Sequence, residues 1–357
     1  MSPDPRAGGP EHRAAPPPPS VPPSVPQSAA NPGGPDAAGF LPVPVRTVRP
    51  PAVARAGGDS VYRPFWGPIE LDRPVERFEP RPPSGSSYRP DTVFDGWSSE
   101  HLRIRLASVR GYAHRANGRL REDDAAVALH DSGVLVFAVA DGVSGAEQSH
   151  LGATLACRTA VDTVTRQLGD GRGPERLDWA EVLHHAAYQL VAQTRKILEL
   201  PRDDTAAAQR LMATTLVTGV AVPSPLGLDI QLVCAGDSGA WVLSQGGRFL
   251  RITPGRCGGG GRGVASSAVE ALPRKVTDPR VHRTTVLGAD RLLVGTDGFG
   301  DPLGDGTGPV GRLFAEHLAP TLEPRGLAHL LDFSRETFDD DRTLLVVWPA
   351  SAVEAAP

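Results

Sequence analysis

The sequence predicts an α+β protein whose antiparallel sheets pair through hairpins, with helices segregated outside them. Two observations carry that expectation. Short apolar or alternating runs follow one another across turn compositions, as neighbouring antiparallel strands do. Stretches with apolar residues at helical spacing come in blocks, whereas a parallel β-α-β fold would alternate them singly with strands.

LRIRLASVRG (102–111) alternates with period two and reads as a strand. AAVAL (125–129) and VLVFAVA (134–140) are short apolar runs joined across HDSG, a composition suited to a hairpin turn. Residues 146–168 and 178–200 each hold helical periodicity over several turns, and the glycine-rich break between them predicts an antiparallel helix pair. Strands resume with MATTLVTGVAV (212–222), LDIQLVCAG (228–236), AWVLS (240–244) and RFLRIT (248–253). RLLVGT (291–296) is a further strand, VGRLFAEHLA (310–319) and RGLAHLLDFSRETF (325–338) are helices, and RTLLVVW (342–348) closes the order.

What flanks these elements has a different texture. Residues 1–51 are built from PPPPS, VPPSVP and NPGGPD, which bury too little apolar surface to offset chain entropy and favour extended polyproline. They read as a disordered proline-rich tail, a spacer or a docking segment for a partner. Residues 52–95 mix aromatic residues with proline and read as an irregular N-terminal arm, residues 96–350 as the folded domain and 351–357 as a C-terminal tail.

Composition restricts the setting. At 40% hydrophobic the chain can bury a core, and a net charge of -4 without a basic tract gives no electrostatic grip for nucleic acid. Three cysteines, Cys157, Cys234 and Cys257, are odd in number and form no CxxC, so neither a disulfide framework nor a thiolate zinc site is indicated. Cys157 and Cys234 fall in apolar segments as core residues, and Cys257 lies beside the glycine run 258–261. The sequence shows no apolar stretch of about 18 residues to span a bilayer and no signal peptide, so a cytoplasmic protein is expected. His184 and His185 read as helix residues and His114 as an exposed loop residue, with Trp66, Trp97 and Trp179 as packing anchors.

Chemistry concentrates at strand ends. Asp141 follows VLVFAVA, Asp237 follows IQLVCAG, Asp297 follows RLLVGT, and Asp339-Asp340-Asp341 precedes RTLLVVW. A single Asp-Gly is a common turn, but carboxylates gathered at the mouth of a sheet repel one another and call for a cation. Hard divalent ions such as Mg²⁺ or Mn²⁺ take such oxygen ligands. Gly142 and Gly298 let backbone approach an ion closely, and REDDA (121–125) adds an acidic pair before another strand.

Five stretches, in order, resemble the metal-dependent protein phosphatases of type 2C over roughly residues 100–350. They are GRLREDDA, VFAVADGVSG, ATTLV with CAGDSGAWVL, LLVGTDGFGD and DDDRTLLVV. The resemblance implies a central sandwich of two antiparallel sheets flanked by helices, four layers in all. It implies a bacterial-type serine/threonine phosphatase acting in signalling on phosphoserine and phosphothreonine proteins, opposed by a cognate serine/threonine kinase.

By the same resemblance, Asp141 bridges two divalent cations, Mn²⁺ or Mg²⁺, and the Gly142 carbonyl is a ligand of one. Asp297 and Asp340 complete the other site, Asp124 is the acidic residue of the first motif, and Asp123 holds metal-bound water. Asp237 resembles the ligand of a third, weaker metal, and Arg119 falls where animal members bind the substrate phosphate. A hydroxide bridging two metals about 3.5–4 Å apart would attack phosphorus in line, without a covalent phosphoenzyme. Val143 and Ser144 stand where animal members place a histidine, so a metal-bound water is the expected proton donor.

The chain departs from the family at Glu122, where the first motif usually has Asn, and at Gly239, where many members read GDSR. Residues 253–286 do not closely resemble the usual substrate-side flap, and the glycine run within them is expected to be mobile. Two other readings compete: a catalytically silent phosphatase-fold regulatory or binding protein, and a metal-dependent hydrolase of small phosphate esters. The intact carboxylate set favours turnover.

Overall fold

The computed structural model describes residues 67–350 apart from Pro68, Arg77, 84–88, 255–270 and Thr277. The proline-rich tail, Trp66, Cys257, the glycine run and residues 351–357 lie outside the described residues. In chain order the elements are β1 (Ile69–Glu70), β2 (Thr92–Ser98), β3 (Leu102–Val109), α1 (Tyr112–Asn117), β4 (Asp124–Leu129) and β5 (Leu135–Ala140). Next come α2 (Ser149–Gly169), a 3-10 turn at Pro174–Arg176, α3 (Trp179–Ile197) and α4 (Thr205–Met212). β6 (Leu216–Ser224), β7 (Gly227–Ala235), β8 (Gly239–Leu243), β9 (Phe249–Arg251), β10 (His282–Leu287) and β11 (Arg291–Gly295) follow. The last are α5 (Asp297–Leu303), α6 (Pro309–His317), α7 (Pro324–Leu331), β12 (Phe333–Ser334) and β13 (Arg342–Pro349).

Two antiparallel sheets form the centre, with orders β10-β7-β6-β5-β4 and β2-β3-β13-β11-β8-β9. Their layering follows from the period-two geometry of strands. In β5, Leu135, Phe137 and Val139 pack between the sheets against Ile104, Leu292 and Leu345. The intervening Val136, Ala138 and Ala140 pack outward against Ala153, Ala160 and Val182 of α2 and α3. Both faces are covered, which is why this strand reads as an unbroken apolar run. On the other side Leu344, Val346 and Trp348 of β13 meet Phe314 of α6 and Leu327 of α7. Three apolar layers thus hold four layers of structure together, and each fully buried Leu, Val or Phe contributes about 1.5–3 kcal/mol relative to exposure. This is the sandwich that the five motifs imply.

Three boundaries differ from the sequence reading. Residue 95, where the irregular arm was expected to end, lies inside β2, which pairs with β3 from Thr92 onward. Residues 212–222 do not form one strand: Met212 ends α4, and β6 begins at Leu216. The segment TAAAQRLM has high helix propensity, Asp204 accepts from Ala207 N at 2.9 Å to cap it, and Ala208, Leu211 and Met212 are buried. The final helix ends at Leu331 instead of reaching 338. Buried Arg342 takes over there, donating to Leu331 O at 2.9 Å and Phe333 O at 2.7 Å, with its guanidinium 3.9 Å from the Phe333 ring centroid. Phe333–Ser334 instead pairs in parallel with Ile69–Glu70, so the arm is stitched to the domain. Cys157 is buried, Cys234 half-buried and Trp179 buried, in keeping with core roles. Among the described residues, no helix is long and apolar enough to cross a membrane.

Candidate active site

Asp141 leaves the end of β5 with its backbone pinned on both sides. Its N–H donates to Thr215 Oγ1 at 2.9 Å, and its carbonyl accepts from Thr215 N and Thr214 Oγ1, each at 2.8 Å. Gly142 fits because the chain presses on α2: a Cβ there would lie 2.7 Å from Ser149 Cβ and 2.9 Å from Glu122 O. Asp297 opens α5 directly after β11, where the helix N-terminus favours negative charge. Asp237 lies in the β7–β8 turn, after Gly236 at φ +94°.

These separated segments converge. Carboxylate oxygens of Asp141, Asp237 and Asp297 all lie within 4.8 Å of one another. Asp123 is fully buried, shares a hydrogen-bonding contact with Asp141, and accepts from Thr296 Oγ1 at 2.8 Å through Oδ2. Among the described residues no group donates to its Oδ1. Asp340 lines a cavity of about 290 Å³ with Ser144, Asp297, Gly298 and Asp301.

Crowding shows in the protonation equilibria. Burial, then the charge of Asp341, pushes the Asp123 carboxyl up to about 8. Burial and the charges of Asp123, Asp297 and Asp340 hold Asp141 well above the usual carboxylate range. Asp340 is raised by burial and by Asp341. Such a set takes up protons unless a cation compensates it.

The structure does not bring Asp124 to this cluster. Strand alternation turns it to the opposite side of β4, where its carboxylate pairs with Arg89 at 3.0 Å and accepts from Thr154 Oγ1. Arg119 stands at the rim, its side chain 41% exposed, donating to Glu122 Oε1 at 2.7 Å and Ser144 O at 3.2 Å. Glu122, in the place usually held by Asn, therefore tethers this arginine, and its other oxygen accepts from Ser149 Oγ at 2.6 Å. At Gly239, a Cβ would lie 2.8 Å from the Trp241 ring and 2.9 Å from Arg251 Nη2, so Arg251 of β9 fills the space there.

His114 is not an exposed loop residue. It lies in α1 at 6% exposure, because a carboxylate waits for it inside. Asp341 accepts from Gly111 N at 2.6 Å and from Glu122 N, and its Oδ2 lies 3.0 Å from His114 Nδ1. Sequence reasoning gave no site role to Asp341, noted Glu122 only as a departure from the family motif, and passed over Arg89. The DDD run signalled Asp341 without saying which carboxylate turns inward.

A family profile described as Protein phosphatase 2C matches residues 110–333. Among solved structures, a bacterial serine phosphatase is similar at 16% identity, covering 69% of this chain and 97% of its own, with a TM-score of 0.50. The catalytic domain of the serine threonine protein phosphatase PstP, in complex with two manganese ions, matches at 20% identity, 70% and 98% coverage and a TM-score of 0.44. PppA of Pseudomonas aeruginosa, a regulatory component of T6SS, gives 20%, 70% and 98%, and 0.45. No curated protein matches the sequence. With the profile spanning more than half of the residues, and the double sheet as its frame, the chain belongs to the protein phosphatase 2C family.

Proposed function

We propose that the protein is a metal-dependent serine/threonine phosphoprotein phosphatase, a phosphoric monoester hydrolase. The observation that carries this is the meeting of Asp141, Asp237 and Asp297 beside buried Asp123, whose Oδ1 has no donor among the described residues. A carboxylate oxygen without a donor, among carboxyls held above their ordinary range, is the donor set a hard divalent cation satisfies. Asp141, the Gly142 carbonyl, Asp297 and Asp340 would hold two ions, Mn²⁺ or Mg²⁺, with Asp123 facing them from the residue before β4. Asp237 with Asp297 would offer a third, weaker site. Bound divalent ions supply Lewis acidity that lets water act as a nucleophile near neutral pH and offset phosphoryl charge.

The chain's own contribution is position and charge. Thr214 and Thr215 fix the Asp141 backbone, so its carboxylate does not have to be ordered at the moment of reaction. Arg119, held by Glu122, presents at the rim a planar guanidinium whose paired N–H groups can bond two oxygens of a phosphate monoester. Phosphorylated serine and threonine side chains on proteins are the proposed substrates, with an opposing kinase as the natural counterpart.

The test is hydrolysis of p-nitrophenyl phosphate and a phosphothreonine peptide by the purified chain, with Mn²⁺, Mg²⁺ or EDTA, beside Asp141→Ala. Activity that needs the ion and disappears in the variant is expected. Folded protein that turns over neither substrate with any ion would move the reading to a silent phosphatase-fold binding protein.

A further inference from the structure

Arg89 lies outside the segment matched by the family profile, yet it grips the strand that carries the first acidic pair. Its Nη2 donates to Asp123 O at 2.9 Å and to Asp124 Oδ2 at 3.0 Å, and its Nη1 donates to His150 O at 3.1 Å. One guanidinium thereby joins the N-terminal arm, the start of β4 and the first turn of α2. The segment that presents it is itself fixed: Arg110 N donates to Asp91 O at 2.9 Å, and the Asp91 carboxylate pairs with Arg110 at 3.6 Å and Arg115 at 3.2 Å.

Strand geometry decides what this grip does. Asp123 and Asp124 point to opposite faces, so the peptide between them sets the direction of both. The carbonyl of that peptide accepts from Arg89 and also from Arg121 Nη1 at 3.1 Å. Two guanidiniums on one oxygen hold the peptide against rotation, while Asp124 is kept on the far side by the same Arg89. Asp123 is left aimed at Asp141, with Oδ1 free of donors among the described residues.

We infer that Arg89 is a positioning residue for the carboxylate cluster, acting through the Asp123 peptide without touching ion or substrate. The inference rests on the metal-dependent reading above. It implies that the working unit begins N-terminal to the profile-matched segment, with the arm as part of it.

The test uses the full chain with Arg89→Ala and Arg89→Lys, each alone and combined with Asp124→Asn. Mn²⁺ affinity is read from the electron paramagnetic resonance signal of the free ion, kcat and KM from p-nitrophenyl phosphate, and folding from near-ultraviolet circular dichroism. Loss of an outer contact that orients a ligand typically costs about 10–100-fold in metal affinity or activity. A loss of that size is expected in Arg89→Ala on both backgrounds, in Mn²⁺ affinity and kcat with KM little changed, and Arg89→Lys should recover part of it. Equal Mn²⁺ affinity in Arg89→Ala and the parent would overturn the inference. So would an effect that vanishes beside Asp124→Asn, since Arg89 would then only neutralise that carboxylate. Should Arg89→Ala fail to fold, Arg89→Lys and the Asp124→Asn pair decide by the same comparison. A parent chain that neither binds Mn²⁺ nor hydrolyses ester overturns the phosphatase reading, and this inference with it.

Discussion

His114 Nδ1 lies 3.0 Å from Asp341 Oδ2, and each side chain is less than a tenth exposed. The pair knots α1 to the start of β13, and Asp340, next in sequence, is thereby held on the cavity side. Burial alone would lower His114, but the Asp341 carboxylate beside it outweighs burial and raises the imidazole above its ordinary value. Burial would raise Asp341, whereas His114 and the backbone N–H groups of Glu122 and Gly111 hold it below its ordinary range.

Removing one partner of a buried pair leaves the other uncompensated, at a cost of about 3–5 kcal/mol. His114→Ala is expected to lose stability on that order in urea unfolding. The raised imidazole contributes fully below its unfolded value of about 6.5, and the contribution fades as pH climbs through the folded value. The lowered carboxylate contributes above about 3.9 and fades as pH falls through its folded value. The gap between parent and variant should be widest between those limits and narrow on the alkaline side. A gap that stays constant from about pH 6 to about pH 9 would count against a charged pair.

The carboxylate cluster carries the opposite acid-base signature. Burial and like charge raise Asp123 to about 8 and lift Asp141 and Asp340, so the folded, ion-free chain binds more protons than the unfolded one. Stability of protein kept in EDTA should therefore fall as pH rises from about 4 through about 8. Asp141→Asn should flatten this slope and be the more stable protein at the alkaline end. Denaturant melts at a series of pH values decide it, and an unchanged slope in the variant would contradict the proposed crowding.

Gly298 is a steric checkpoint between α5 and the segment before β13. A Cβ there would fall inside the van der Waals sphere of Asp341 O, which is backbone and cannot rotate away. Gly298→Ala is expected to cost about 1–3 kcal/mol and to lower kcat, because it pushes Asp297 and Asp340 apart. Gly308→Ala meets nothing within 4 Å and should stay within about 0.5 kcal/mol of the parent. Thermal unfolding of the two variants side by side is the check.

At Arg119 the expected effect is on substrate and not on the fold. With 41% of its side chain exposed, Arg119→Ala should leave stability within about 0.5 kcal/mol while raising KM for a phosphopeptide. Glu122→Asn, which restores the residue usual in the family, should release the arginine and alter KM without abolishing turnover. Unchanged KM in Arg119→Ala would remove the phosphate-binding role.

Strands whose two faces are both covered were legible as continuous apolar runs, as VLVFAVA and RTLLVVW were, because nothing polar interrupts them. What escaped were elements whose formation depends on distant partners. α5 holds two glycines and Pro302, poor helix formers that gave no helix signal, yet it forms as a seven-residue helix packed on Trp241 through Phe299. The final helix stops where Arg342 captures carbonyls, which no local pattern announces. The same division runs through the site. Carboxylates at strand ends could be picked out one by one, but which of Asp123 and Asp124 faces inward depends on where β4 starts. Burial of His114 depends on a carboxylate more than two hundred residues away.

The carboxylates are also shared between the sheets: Asp123 and Asp141 flank strands of one, Asp297 and Asp340 flank strands of the other, and Asp237 sits in the turn that crosses over. The seam between the sheets is built of apolar side chains, whose adhesion is non-directional. Coordination at one end would act as a hinge pin, setting the angle at which two greasy plates rest. Without the pin, amide exchange at 141–144 and 297–299 should quicken first, while the amides of Val136 and Val346 remain slow.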